Sequence, residues 1–309
     1  MSAQYSNCFL GPAEIQNQHP LGMLHYNVAT QNACVGSKGE SSFTTDSSIA
    51  NTLNKYKDIY FIDAETVSLN LGFNYNLIDK FQLSLKPHFY SRQGGSTDQS
   101  IDEWHRVFGF PRGKRRELPR NEYLIAGINR DATTFDFPSK NLHLADTDLD
   151  MKYQILDGDF DIPTLSAVFS MRLPTAEAEY GQEAVDIAVG VVGSKKLASQ
   201  FYFSSGVSYV HYLDTEISGL NFHSDNYSLF LTLEYSLNEQ WNMYVSQSIS
   251  SALVSEVPFF PNYQLYLDLG TRYKLTNKWL VELLIRENPA PREATTDISL
   301  SLGLKYIYQ

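Results

Sequence analysis

The chain has 309 residues, of which 43% are apolar, and its mean hydropathy is −0.28. No stretch approaches the ~20 apolar residues that a membrane-spanning helix needs, which excludes a helical membrane protein. A formal net charge of −11 disfavours nucleic acid as a partner, because the surface would repel phosphate.

Met1-Ser2-Ala3-Gln4 has neither a basic start nor an apolar core. No secretory signal is visible, and the chain reads as a mature one from which a signal has been removed. The two cysteines, Cys8 and Cys34, fit no zinc or redox spacing. An even count in an exported protein is compatible with a disulfide, and equally with two free thiols. If the two are bonded, residues 1–20 thread the interior of the fold or the first strand lies elsewhere, because a disulfide holds its Cα atoms within about 7 Å. The expected organisation is an N-terminal segment over 1–20, periplasmic or lodged in a lumen, followed by one β-domain over 21–309.

Twelve strands can be marked from side-chain alternation. The first, Leu21 to Thr30, has the weakest pattern. Residues 31–61 are rich in Ser, Thr, Asn and Gly and read as a flexible loop. In the second strand, Val67, Leu69, Leu71, Phe73, Tyr75 and Leu77 alternate with Ser68, Asn70, Gly72, Asn74 and Asn76. The third follows Asp79-Lys80, with Phe81, Leu83, Leu85 and Phe89 on one face; Pro87 within it predicts a bulge or kink.

The link 92–140 contains an amphipathic helix over Asp98 to Phe110, with Ile101, Trp104, Val107 and Phe108 on one face. A basic run follows, with Arg112, Lys114, Arg115, Arg116 and Arg120. These residues are candidate contacts to lipopolysaccharide phosphates, with the helix at the membrane surface. A helix folded inward and a solvated charged loop are the other readings.

The fourth strand carries Leu149, Met151, Tyr153 and Ile155 opposite Asp148, Asp150, Lys152 and Gln154. Eight more follow, and the last is Ile298 to Tyr308. Links near residues 79, 158, 196, 238 and 277 are short. The links 31–61, 92–140, 174–183, 213–225, 253–262 and 287–296 are long. Strict alternation of short and long links, an even strand count and one apolar face per strand predict an all-β transmembrane antiparallel β-barrel of about 12 strands. Its turns are periplasmic, its long loops lie outside, and one loop holds a short helix. Aromatics are abundant (Tyr 20, Phe 18, Trp 3), as interfacial girdles require.

The opposite faces hold charges of both signs: Lys86, His88, Asp148, Asp150, Lys152, Arg172, Asp186, Glu234, Asp268, Arg272, Glu282 and Arg286. These are the candidate lumen lining. They serve either as a selectivity filter for a solute or as a structural lattice of ion pairs across a narrow interior. Asp146, Asp148 and Asp150 share a face, but the calcium-loop pattern would want Gly at the position of Met151 and Glu at that of Asp157, so charge pairing is expected and no metal. The seven histidines form no His-x-x-x-His or His-Glu-x-x-His motif. No enzyme and no cofactor are expected.

Some residues also carry a resemblance. The block Asp148 to Leu156, then Pro163-Thr-Leu-Ser-Ala167, Leu173-Pro174-Thr175, Asp186 and Ser194-Lys195-Lys196-Leu197 resembles a broad group of proteobacterial outer-membrane barrels described as transporters. Gly11-Pro12, Asn17-Gln18-His19-Pro20, Gly94-Gly95, Trp104-His105 and Phe108-Gly109-Phe110-Pro111 narrow it to a domain-of-unknown-function family (three-one-eight-seven). The resemblance covers nearly the whole chain and implies fold and location, with no substrate or catalytic residues to carry over. Such barrels commonly end in Phe or Trp, whereas this chain ends in Tyr308-Gln309.

The expected function is passive passage of a small polar or amphipathic solute through a narrow or partly plugged charged lumen of the Gram-negative outer membrane. Lipid and lipopolysaccharide surround it. The alternative is a closed barrel acting as a structural or interaction module with a periplasmic or outer-membrane protein partner. A lipid-acting barrel enzyme ranks behind both.

Overall fold

The computed structural model describes residues 7–109, 118–128, 132, 134–159, 161–177, 180–254, 257, 263–289 and 295–308. The strands are β1 (Ser41–Tyr56), β2 (Tyr60–Ile78), β3 (Phe81–Lys86), β4 (His88–Gln93), β5 (Leu124–Ile128), β6 (Thr134–Asp136), β7 (Lys140–Leu144), β8 (Thr147–Leu156) and β9 (Thr164–Leu173). They continue with β10 (Asp186–Lys196), β11 (Phe201–Tyr212), β12 (Glu216–Ile217), β13 (Leu220–Asn221), β14 (Asp225–Ser236), β15 (Trp241–Ser251), β16 (Tyr263–Lys274), β17 (Trp279–Glu287) and β18 (Ile298–Tyr308). One helix, α1 (Asp98–Phe108), lies between β4 and β5.

Among the described residues, twelve antiparallel strands close into a cylinder in the order β1, β2, β3, β8, β9, β10, β11, β14, β15, β16, β17, β18, with β1 bonded to both β2 and β18. Closure leaves no unpaired strand edge within the apolar layer, the condition for crossing a bilayer with strands. Pro87 splits one wall strand into β3 and β4, but its carbonyl still accepts the Leu71 amide at 3.1 Å, so the wall stays continuous.

The outward face is apolar: Val189, Val207, Met243, Leu269 and Leu302 are exposed. The residues between them, such as Ser166, Ser170, Ser204, Thr232, Asn242 and Ser246, are buried inside. At the end bearing the short turns, directly opposed aromatic pairs ring the outer face: Phe201 with Tyr235, Trp241 with Tyr273, Trp279 with Tyr306. Their centroids lie 4.9, 5.6 and 4.6 Å apart. Tyr209 and Tyr227, also opposed, sit eight residues along the same strands from Phe201 and Tyr235. At ~3.3 Å per residue that spacing is roughly 26 Å of strand, matching an apolar band ~25 Å tall.

The start of the barrel differs from the sequence expectation. Leu21 to Thr30 is not a strand; it contains a 3-10 turn at Gly22–Leu24 and lies inside the cylinder. The first wall strand is β1, from the stretch expected to be loop, and a tight connection at 57–59 joins it to β2. The outward side chains of β1 are Phe43, Thr45, Ser47 and Ile49, flanked by leucines and aromatics of β2 and β18. Two short hydroxyl residues in this row hide its apolar alternation. β1 and β2 then run beyond the outer end of β18, where β5 pairs with β2 and β6 with β5.

Helix α1 stops at Phe108 with a left-handed Gly109 cap, so it is shorter than expected. Its seated side is Asp98, Ile101, Asp102 and His105, while Val107 and Phe108 are exposed. The Asp98 carboxylate accepts from the Asn121 amide at 2.7 Å and from Asn51 at 3.0 Å. Trp104 donates to Glu287 at 2.8 Å. The helix is therefore held to the barrel rim through a mixed side: Asp98, Asp102 and His105 together with Ile101 and Trp104 of the expected apolar face, whose other members, Val107 and Phe108, stay exposed.

Candidate functional site

Residues 7–40 fill the interior as a hairpin of two irregular legs. The first leg starts at the turn end, where the Asn7 side chain bonds Ile162 and Lys196 of two turns. It rises to Leu21 and Leu24, which are fully buried against Tyr60, Ile62, Ile125 and Phe137 at the loop end. The second leg descends to Val35, whose amide donates to Gln154 at 2.8 Å, and runs on to Glu40 beside Ser41. Cys8 and Cys34 are disulfide-bonded with Cα atoms 6.2 Å apart, joining the two legs near the turn end. The legs are close: Gly11 has φ +73, and a Cβ there would sit 2.5 Å from the Asn32 side-chain nitrogen, so only glycine fits.

The barrel wall binds this segment chiefly through its backbone. Arg172 on β9 and Asp148 on β8 are direct register partners. The guanidinium donates to both carboxylate oxygens at 2.7 and 3.0 Å, and its remaining nitrogen donates to the Met23 and His25 carbonyls at 3.0 and 2.7 Å. Arg286 on β17 and Asp268 on β16 repeat the design, with the third nitrogen on the Gln16 carbonyl at 3.0 Å. Arg272 and Glu282 repeat it again; Arg272 reaches the carbonyls of Leu10, Gly11 and Pro12. A guanidinium has five donors in one plane, so it can hold a carboxylate and still serve a peptide carbonyl.

The acids work in the opposite sense. Glu234 accepts the Leu10 and Gly11 amides at 3.0 and 2.9 Å. Asp186 accepts the Tyr26 amide at 2.7 Å and lies 3.4 Å from the His25 ring nitrogen. Lys86 pairs with Glu14 and Asp150, each at 2.8 Å. Asp150 also accepts the Tyr26 hydroxyl at 3.1 Å. Lys152 donates to the Asn32 carbonyl at 3.2 Å, and His88 bridges Asn70 and Asp148 at 2.8 Å each. The twelve candidate lining residues are thus brought together around one segment rather than around an open bore.

Asp146 does not join that lattice. It accepts the Thr175, Ala176 and Gln182 amides and so fastens an outer link to the wall. Of the candidate lipopolysaccharide contacts, Arg120 is exposed with its guanidinium 4.0 Å from Asp102, while Arg112, Lys114, Arg115 and Arg116 lie outside the described residues. In the links beyond the spanning strands, hydrogen bonds from Lys80 and Lys140 hold the Asp157 and Glu177 carboxyls below their usual range.

Sequence reasoning missed the inner partners. Asn17 bonds Gln264 at 2.6 Å and accepts the Tyr266 hydroxyl at 3.0 Å. Gln18 bonds Ser48 and Ser299, and His19 meets Asn54 at 3.1 Å. The run Asn17-Gln18-His19 was the available signal: polar residues without periodicity, each able both to donate and to accept. Among the described residues, a cavity beside the segment, lined by Ile15, Asn17, Thr30, Ser248 and Arg286, measures about 20 Å³, room for roughly one water.

A closed, even-stranded antiparallel cylinder, lipid-compatible outside and polar inside, defines an outer-membrane β-barrel. The chain belongs to the family described as Protein of unknown function (DUF3187), whose model matches residues 2–308. No curated protein matches the sequence. Among solved structures it is similar to the COG4313 outer membrane channel from Pseudomonas putida F1, at a TM-score of 0.61 and 10% identity over 91% of this chain and 100% of that one. It is also similar to the NanC porin, at a TM-score of 0.52 and 7% identity over 85% of this chain and 98% of that one. At such identities the likeness is one of fold, that of channel-like barrels.

Proposed function

We propose that the protein is a passive outer-membrane channel for a small polar or amphipathic solute, and that residues 7–40 are its plug. The supporting observation is that three wall arginines, Arg172, Arg272 and Arg286, each divide their donors between a wall carboxylate and a plug carbonyl. These three ion pairs are therefore closed within the wall, and the plug is held to them by carbonyl hydrogen bonds that water can replace. Lys86 with Glu14 and Asp186 with His25 join wall and plug directly, so movement of the segment also requires water to take over those groups.

The second reading is a closed barrel that serves as an interaction module. It is favoured by the apolar cluster at the loop end, where the outer links meet the plug tip at Leu21 and Leu24. Planar-bilayer recording separates the two. Discrete conductance steps that grow on deletion of residues 7–40, and that change with Asp268→Ala, support the channel. A barrel silent with and without the plug refutes it.

A further inference from the structure

Arg92 on β4 points into the barrel and has no exposed surface. None of its three side-chain nitrogens has a hydrogen-bond partner, and no ion pair among the described residues includes it. Every other inward arginine of the wall described above is doubly committed. The guanidinium instead sits among aromatic faces: its carbon lies 5.1 Å from the Tyr180 ring centroid, 5.6 Å from that of Phe137 and 5.7 Å from that of Tyr90. Cation–π attraction offsets part of the lost hydration but satisfies none of the five N–H groups.

Two neighbouring features point the same way. Thr66 is the direct register partner of Arg92 across β2 and β4, and its buried hydroxyl is also unpartnered. Two residues beyond Tyr180, the buried Gln182 amide has no partner on either side-chain atom. The nearby Asp146 carboxylate accepts backbone amides and makes no hydrogen bond to Arg92, so the guanidinium donors stay open. Phe137 carries the cage into apolar surface, because its amide bonds the Ile125 carbonyl at 2.9 Å within the loop-end cluster.

We propose that Arg92, in its cage of Tyr90, Phe137 and Tyr180, is a recognition site for the carboxylate of a small amphipathic acid whose apolar part lies against Phe137 and Ile125. A planar fork of donors matches a carboxylate through two parallel hydrogen bonds, and Thr66 can add a third. The rings exclude water from that pair, and the apolar cluster selects an acid with a hydrocarbon body over a bare inorganic anion. Two walls of the cage, Phe137 and Tyr180, belong to outer links, so the site lies on the loop-end side of the barrel. The proposal deepens the channel reading by naming its solute class.

The test is isothermal titration of the detergent-solubilised full chain with sodium benzoate, benzyl alcohol and inorganic phosphate. Benzoate is expected to bind, with the alcohol and phosphate much weaker. Arg92→Met should weaken benzoate by about ten- to a hundredfold, the loss of a charge-assisted two-point contact, and Arg92→Lys by less. Benzoate affinity unchanged in Arg92→Met overturns the proposal, as does phosphate binding more tightly than benzoate. Should Arg92→Met fail to fold, unchanged affinity in Arg92→Lys overturns it instead. Benzoate binding by a barrel that is silent in bilayers would sink the channel and keep the site. Channel steps without Arg92-dependent binding would do the reverse.

Discussion

Arg286 and Asp268 stand directly opposite each other on β17 and β16, joined by two hydrogen bonds of 2.7 and 2.9 Å, and the nitrogen left over holds the Gln16 carbonyl at 3.0 Å. One side chain thereby closes an ion pair in the wall and fastens the segment that fills the interior. Both residues are buried, so the two roles respond differently to substitution.

Asp268→Ala strands a buried guanidinium and is expected to destabilise the barrel by ~3–5 kcal/mol. The double variant Asp268→Leu with Arg286→Met removes both charges and should lose less than either single change. Heat-dependent gel mobility of the refolded protein ranks the three. A double variant worse than both singles would show that the plug bond, not the charge pair, dominates.

The Cys8–Cys34 bond closes a loop with a sequence separation of 26. By chain entropy such a cross-link constrains the unfolded segment by roughly 3 kcal/mol, although the wall strands lie outside the loop. Cys8→Ser with Cys34→Ser should leave barrel mobility on gels unchanged while exposing residues 7–40 to protease. Mass spectrometry of the digests detects the difference, and equal protection in both forms would count against the disulfide as the plug's clasp.

Leu24 has no exposed surface and belongs to the loop-end apolar cluster. Leu24→Ala should cost ~2–5 kcal/mol of local stability through the cavity it leaves. Hydrogen exchange should quicken at residues 21–26 and at Phe137, with β14 to β17 unaffected. Uniform quickening around the whole barrel would mean that the plug tip is not a separate unit.

Leu302 is 58% exposed on the outer face of β18. Leu302→Arg places a charge among acyl chains at a cost of ~2–4 kcal/mol if the position is near the midplane. Urea unfolding in lipid vesicles measures it. A loss below ~0.5 kcal/mol would place this residue away from the lipid.

The sequence alone determined the barrel and the sidedness of its later strands. Period-two alternation is local: each lipid-facing residue announces itself through its next-but-one neighbours, as Leu229, Leu231 and Leu233 do. It also placed Asp148, Arg172, Asp268 and Arg286 opposite the apolar residues, because a charge on the lipid side is too costly to keep. The pairing of Asp148 with Arg172, and of Asp268 with Arg286, depends on strand register, which joins residues 24 and 18 apart through hydrogen bonding between strands. The course of residues 7–40 was not legible for a different reason. A segment surrounded on all sides by a polar wall has no wet face and no oily face, so its sequence shows no period, and side chains such as Asn17 and Gln18 are matched to partners hundreds of residues away. For the same reason β1 passed for a loop: Thr45 and Ser47 sit between the leucines of β2 and β18, and only those neighbours, brought there by closure of the cylinder, make their row a lipid face.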